Sequence, residues 1–169
     1  MKFVDVDIKE VYVQLIHAEV YDKTRRKKFW LTMVYGQNKN TERDELWQQL
    51  RHLQLSVTGP WVVCGDFNAI LDYNERIGGS MVTNAEIQSL RDVVFDCELE
   101  DIKAVGSYFT WNYKQNAANI IYSKIDRVFI NAEWVNTFPW SFAQFLPEGV
   151  YDHSPCLINL DEDIRRKTK

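Results

Sequence analysis

Apolar and polar positions alternate from Val11 to Val20, with Val11, Val13 and Leu15 opposed to Tyr12, Gln14 and Ile16. A second run, Phe29 to Tyr35, follows a charged turn, and the two predict an antiparallel hairpin that ends in the polar turn Tyr35-Gly36-Gln37-Asn38. The period then changes. Thr41 to Asp44 has the form of a capping box, and Leu46, Trp47, Leu50 and Leu53 recur at helical spacing, so a helix is expected from near Thr41. Trp61-Val62-Val63-Cys64, bounded by Gly59-Pro60 and Gly65, reads as a short strand buried on both faces. The segment Ala69 to Val82 carries Asn74, Gly78 and Gly79 and reads as a surface loop of a length usually reserved for function. Thr83 to Glu86 is a second capping box, opening a helix whose buried stripe is Ile87, Leu90, Val93, Val94 and Cys97.

Beyond it, Tyr108 to Asn112 and Ile120 to Ile130 predict a second hairpin across the polar turn Lys114 to Asn119. Asn131 caps a helical turn through Trp134, and Trp140 to Leu146 reads as a strand broken by Pro147-Glu148-Gly149. Cys156 to Leu160 is the last expected strand. Hairpins with helices connecting buried strands point to an α/β sandwich with mixed sheets.

Length and charge narrow the function classes. The 169 residues, 46% of them hydrophobic, suit one domain, taken as residues 1–160 and followed by a basic tail, 161–169. A formal charge of -4 argues against a protein that relies on sequence-independent attraction to phosphate, while leaving room for carboxylate chemistry. The basic clusters Lys23 to Lys28 and Arg165 to Lys169 read as a solvated turn and a tail. Cys64, Cys97 and Cys156 are far apart, each in an apolar run, and read as reduced core residues of an intracellular protein. With no long apolar stretch and with Asp5 and Asp7 following the first residues, the sequence predicts a protein that is neither secreted nor in a membrane, placed in the nucleus or cytoplasm.

Candidate chemistry sits in three acidic turns, each following or interrupting an apolar strand: Gly65-Asp66-Phe67-Asn68, Lys124-Ile125-Asp126-Arg127 and Asp152-His153-Ser154-Pro155. Taken singly each has an ordinary explanation. Asp66 would cap a turn, Asp126 would pair with Lys124 or Arg127 at the surface, and His153 would be a satisfied structural histidine.

Taken together, in this order, they resemble the endonuclease/exonuclease/phosphatase superfamily, specifically the apurinic-endonuclease-like domains of plant LINE-type (non-LTR) retrotransposons. Val34-Tyr35-Gly36, Phe109-Thr110-Trp111-Asn112 and Lys124 to Val128 carry the likeness alongside the other two turns. It implies a layered α/β sandwich with two mixed, mostly antiparallel sheets flanked by helices, and metal-dependent attack of water on a phosphodiester of DNA. In that reading Asp66 orients or deprotonates the water, and Asn68 holds the phosphate and the nucleophile. His153 stabilises the developing phosphate charge, and Asp126 orients His153. Tyr35 donates its hydroxyl to the phosphate, and Asp152 is the carboxylate for Mg²⁺ or Mn²⁺.

The resemblance also implies two opening strands, one ending in a site Asn and the next carrying a metal-binding Glu. Neither has a counterpart here, and Asp5, Asp7 and Glu10 sit in no matching motif. The expectation is therefore a domain lacking the family's first strands, with weakened metal binding and an exposed sheet edge open to self-association or a partner. Tyr151 stands where the family usually has Ser. The readings to separate are a DNA-nicking enzyme, a catalytically inactive retroelement remnant that binds at most, and a phosphatase, which the spellings around Asp66 and Asp126 disfavour.

Overall fold

The chain opens with a three-stranded meander: β1 (Val4–Val11), β2 (Leu15–Asp22) and β3 (Lys27–Tyr35), each antiparallel to the one before. The computed structural model describes residues 3–113 and 120–161. The strand expected from Val11 to Val20 is split. Its alternation runs through a tight turn in which Tyr12 N donates to Leu15 O at 2.8 Å, and Val13 continues the apolar period only because it sits exposed at the tip.

A 3₁₀ turn, Asn40–Arg43, leads into α1 (Asp44–Ser56), and no side-chain cap closes either start, so Thr41 is not the expected cap. The reason is Arg43. Its buried guanidinium donates from Nη1 to Gln37 O and Asn38 O at 2.8 and 2.9 Å, winding the entry tightly around itself.

β4 (Trp61–Asp66) returns parallel to β3 and is buried on both faces as its composition requires, Val62 and Val63 being fully covered. The loop beyond it is not structureless. It holds a 3₁₀ turn, Tyr73–Glu75, capped by Asp72, and a two-residue strand, β5 (Arg76–Ile77). α2 (Asn84–Asp96) starts at Thr83 with the predicted reciprocal box to Glu86. Then come β6 (Glu100–Asp101), β7 (Ala104–Gly106), β8 (Trp111–Tyr113), β9 (Ile121–Ser123), β10 (Asp126–Ile130), α3 (Ala132–Thr137), β11 (Phe142–Phe145) and β12 (Cys156–Asn159). Asn131 caps α3 by accepting from Trp134 N. The expected turn 114–119 and tail residues 162–169 lie outside the described residues.

The long strand expected over Ile120 to Ile130 belongs to two sheets. Lys124 N turns to Glu75 O and Ile125 N to the Thr110 hydroxyl, which breaks the run between β9 and β10. A six-stranded sheet has the order β1-β2-β3-β4-β10-β6, one three-stranded sheet the order β12-β11-β7, and another the order β5-β9-β8. Leu46, Leu50 and Leu53 of α1 and Leu90 and Val93 of α2 pack against Val63, Phe67 and Phe129 on one face of the large sheet. Full burial of each such leucine contributes about 1.5–3 kcal/mol. Val62, Val128 and Ile130 on the other face pack against Trp134, Ala143 and Phe145. The result is a mixed α/β fold of sheets flanked by helices. One cysteine departs from expectation: Cys156 is exposed, because it lies at the start of an edge strand rather than inside the core.

Candidate active site

Strand register gathers the expected chemistry. Asp126 lies directly opposite Asp66, whose neighbour on the other side is Tyr35, so β3, β4 and β10 present these residues in one row at their ends. Two glycines make the approach possible. Gly65 holds φ +132°, and a Cβ there would stand 2.1 Å from Val34 O; a Cβ on Gly36 would stand 2.7 Å from Phe67 O.

Asp66 is only 8% exposed, and both its oxygens are engaged by Asn68: Oδ1 accepts from the backbone N at 2.8 Å and Oδ2 from Nδ2 at 3.0 Å. Asn68 takes φ +48°, a left-handed conformation that Asn tolerates better than most residues, and its Nδ2 also donates to Gly36 O at 2.8 Å. Burial pushes the Asp66 carboxyl up to about 6; the Asn68 N–H pulls against this, Asp126 adds to it, and His153 and Arg43 oppose it.

His153 stands between the two carboxylates. Its Nδ1 lies 3.0 and 3.2 Å from the Asp126 oxygens, and because a carboxylate can only accept, that nitrogen carries the hydrogen. Nε2 is 4.0 Å from Asp66 Oδ2, beyond hydrogen-bond reach and turned toward the base. The hydrogen bond to Asp126 raises the imidazole above its ordinary value, against the effect of burial.

What holds Asp126 is Thr110, a residue whose signal was hidden inside an aromatic run. Fully buried, its Oγ1 accepts from Ile125 N at 3.1 Å and Asp126 N at 2.9 Å, while its carbonyl accepts from Ser154 N at 2.7 Å, next to His153. One hydroxyl and one carbonyl thus fix both halves of the histidine pair. Arg43 was missed too, since an arginine in a polar segment looks like a surface charge. It braces the loop that begins at Gly36 and so supports the Asn68 contact.

The ordinary alternative for Asp126, a surface pair with Lys124 or Arg127, is not what the structure holds. Alternation along β10 sends Asp126 and Arg127 to opposite faces, where Arg127, 1% exposed, binds Glu75 and reaches Asp101 Oδ2 at 2.8 Å. Lys124 Nζ lies 3.8 and 3.9 Å from the same two carboxylates. Glu75 also accepts from Leu71 N at 2.6 Å, which fastens the loop after Asn68 to β10.

Asp152 and Tyr35 stand at the rim. Asp152 is exposed and its carbonyl accepts from Asn112 N, while Tyr35 is 73% exposed and shares only its strand position with the row. Among the described residues no group of three or more His, Cys, Asp and Glu side chains is placed to hold a metal ion. Asp66 is engaged by Asn68, and Asp126 faces His153. Among the described residues the side chains therefore offer no three-ligand cage, and a divalent ion held there would rest on one or two carboxylates with water and substrate oxygens.

Layered sheets flanked by helices, with a buried carboxylate, its amide partner and a carboxylate-held histidine gathered at the strand ends, make a fold of nuclease or phosphodiesterase type. The chain belongs to the Endonuclease/Exonuclease/phosphatase family, whose model matches residues 10–147. It resembles the endonuclease domain of TRAS1, a telomere-specific non-LTR retrotransposon, with a TM-score of 0.67 and 16% identity over 92% of this chain and 68% of that one. Beta toxin from Staphylococcus aureus gives a TM-score of 0.59 at 12% identity, covering 88% of this chain and 57% of the other. D. rerio TDP2, complexed with single-strand DNA product, gives 0.54 at 13% identity, covering 92% and 66%. The chain thus spans between 57% and 68% of the length of these structures. No curated protein matches the sequence. Among the described residues no helix is long and apolar enough to cross a membrane.

Proposed function

We propose that the chain is a DNA-endonuclease-like phosphodiesterase of retroelement origin, acting in the nucleus or cytoplasm and hydrolysing a phosphodiester by attack of an activated water. The observation that carries this reading is the placing of His153 between Asp126, at 3.0 Å, and Asp66, at 4.0 Å. At neutral pH Asp66, with a carboxyl pushed up to about 6, is mostly ionised yet basic enough to take a proton from water. Asn68 fixes the direction of that carboxylate. His153, kept protonated to higher pH by Asp126, offers Nε2–H to a phosphate oxygen and stabilises the charge that grows there. Tyr35 at the rim supplies a further donor to the phosphate.

The family resemblance assigns Asp152 to Mg²⁺ or Mn²⁺, but among the described residues the side chains give such an ion no three-ligand site. That same observation favours the second reading, a non-catalytic remnant that keeps the pocket and at most binds DNA. Supercoiled plasmid incubated with the protein and Mg²⁺ or Mn²⁺ separates the two. Nicking that is lost in both Asp66→Asn and His153→Ala supports the enzyme. Plasmid left intact by the unsubstituted protein under every condition overturns it and leaves the remnant.

A further inference from the structure

The chemistry gathered at His153 continues along one rung of backbone pairing. His153 bridges to Trp111, Trp111 pairs with Ser123, and Ser123 pairs with Arg76. All three pairings are antiparallel, and directly opposed residues share a face, so the four side chains stand on one side of the small sheet β5-β9-β8. Arg76 Nε donates to Ser123 Oγ at 2.9 Å, which fixes that side. Three strand spacings of about 4.8 Å set the two ends of the rung roughly 14 Å apart.

Arg76 reaches this face with part of its guanidinium free. Nε is engaged by the fully buried Ser123, whereas among the described residues Nη1 and Nη2 have no hydrogen-bond partner and no carboxylate lies within ion-pair distance of them. Glu86 lies near enough to feel both Arg76 and Arg43, but its carboxylate accepts from the Thr83 N–H and hydroxyl, each at 2.8 Å. Arg43 is also within electrostatic reach of Asp66. Two arginines against one already engaged glutamate leave this flank of the site positive, although the whole chain carries a formal charge of -4. A hollow of about 280 Å³, bounded by Tyr73, Arg76 and Gly78 to Val82, opens beside the guanidinium and has room for an anion.

We propose that Arg76 forms a second phosphate subsite, taking a phosphate of the DNA strand a few nucleotides along from the one at His153. This subsite rests on the phosphodiesterase reading of His153 and sets the path of the strand past it. Holding Ser123 needs a single donor, and the planar fork beyond Nε matches two oxygens of a phosphate. Between the ends of the rung stands Trp111, packed against Ile70, Ile87 and Ile125, an apolar surface suited to a sugar or base and not to a phosphate. Charge at the ends with an apolar ring between them repeats the alternation of a nucleic-acid strand. A carboxylate of a partner protein would satisfy Arg76 alone and leave Trp111 and His153 unused.

The test is fluorescence anisotropy of a labelled DNA duplex, without divalent ions so that no strand is cut. The unsubstituted protein, Arg76→Gln, Arg76→Lys and His153→Ala are each titrated at several salt concentrations. Arg76→Gln should weaken binding about tenfold and make the dependence of log K on log salt shallower by about one. Arg76→Lys, keeping the charge without the fork, should restore the salt slope and only part of the affinity. Unchanged affinity in Arg76→Gln, or weaker binding with an unchanged slope, as loss of the Ser123 contact alone would give, overturns the subsite. If His153→Ala still weakens binding in that case, the reading of His153 stands without it. Duplex bound by none of the proteins also overturns the subsite, and plasmid nicking then decides the reading of His153 by itself.

Discussion

Replacing Thr110 by valine keeps the shape of the side chain and removes one oxygen. That oxygen accepts two backbone N–H groups, from Ile125 and Asp126, at a position with no solvent exposure. A buried donor left unsatisfied costs about 1–3 kcal/mol, so Thr110→Val should destabilise the fold by about 2–4 kcal/mol. Urea denaturation measures this as a lower midpoint with an unchanged slope. Thr110→Ser retains the acceptor and should lose only about 1 kcal/mol, the worth of one buried methyl group. A consequence specific to the site distinguishes bracing from general loss of packing. Asp126 depends on this hydroxyl for its position, so in Thr110→Val the His153 imidazole, followed by NMR, should titrate at lower pH, closer to an ordinary histidine. A valine variant within about 0.5 kcal/mol of the original, with His153 unshifted, would refute the claim that Thr110 positions the pair.

Gly65→Ala forces a Cβ to within 2.1 Å of Val34 O at φ +132°, and should part β3 from β4; a loss above about 3 kcal/mol, or failure to fold in a solubility assay, is expected. Glu75→Gln leaves Arg127 buried with only the partly exposed Asp101 and the more distant Lys124 nearby, and should lower the urea midpoint by an amount equivalent to about 3 kcal/mol. For pH dependence the sign follows from where protons bind. Asp66 has its carboxyl raised from 3.8 to about 6 in the folded chain, so between those values the folded state holds more protons and stability falls as pH rises, by up to about 3 kcal/mol. His153, raised above 6.5, acts in the same direction: its contribution is complete below 6.5 and is lost as pH climbs through the folded value. Melting curves across this range should flatten in Asp66→Asn at the acidic end and in His153→Ala at the neutral end; unchanged curves would show that neither group is coupled to folding.

Local signals carried much of the fold. The capping box at Thr83, the cap at Asn131 and the doubly buried strand before Gly65 stand where their chemistry puts them, because each is decided within a few residues. What was missed or misread depends on distant partners. β1, for which the sequence reading has no strand before Val11, alternates Val4, Val6 and Ile8 against Asp5, Asp7 and Lys9, but with both faces exposed it lacks the burial that makes such a pattern decisive. The break after Ser123 is imposed by Glu75 and Thr110, neither of which is near in sequence. The same division holds at the site. Asp66, Asn68, Asp126 and His153 are named by the family resemblance that their turns carry together, and register does bring them together; Thr110 and Arg43 act through backbone groups, which leave no mark on residue spacing.

The energetics of the cluster bear on whether it is a site or a turn. A structural Asp at a strand end would be best left solvated, whereas Asp66 is buried beside a second carboxylate and held against a cost on the order of 2–3 kcal/mol. Asn68 adds a left-handed backbone, worth roughly another 1 kcal/mol of strain. These costs lie on adjoining residues, and what offsets them is a framework of contacts from Gly36, Thr110 and the Arg43 guanidinium whose common effect is to fix direction. Packing alone does not require a carboxylate at position 66: leucine or asparagine there would relieve the burial. Retention of stability in Asp66→Asn, or a gain, together with altered chemistry at His153, is the pattern expected of a group placed for reactivity. A loss of stability would return Asp66 to the role of a turn cap.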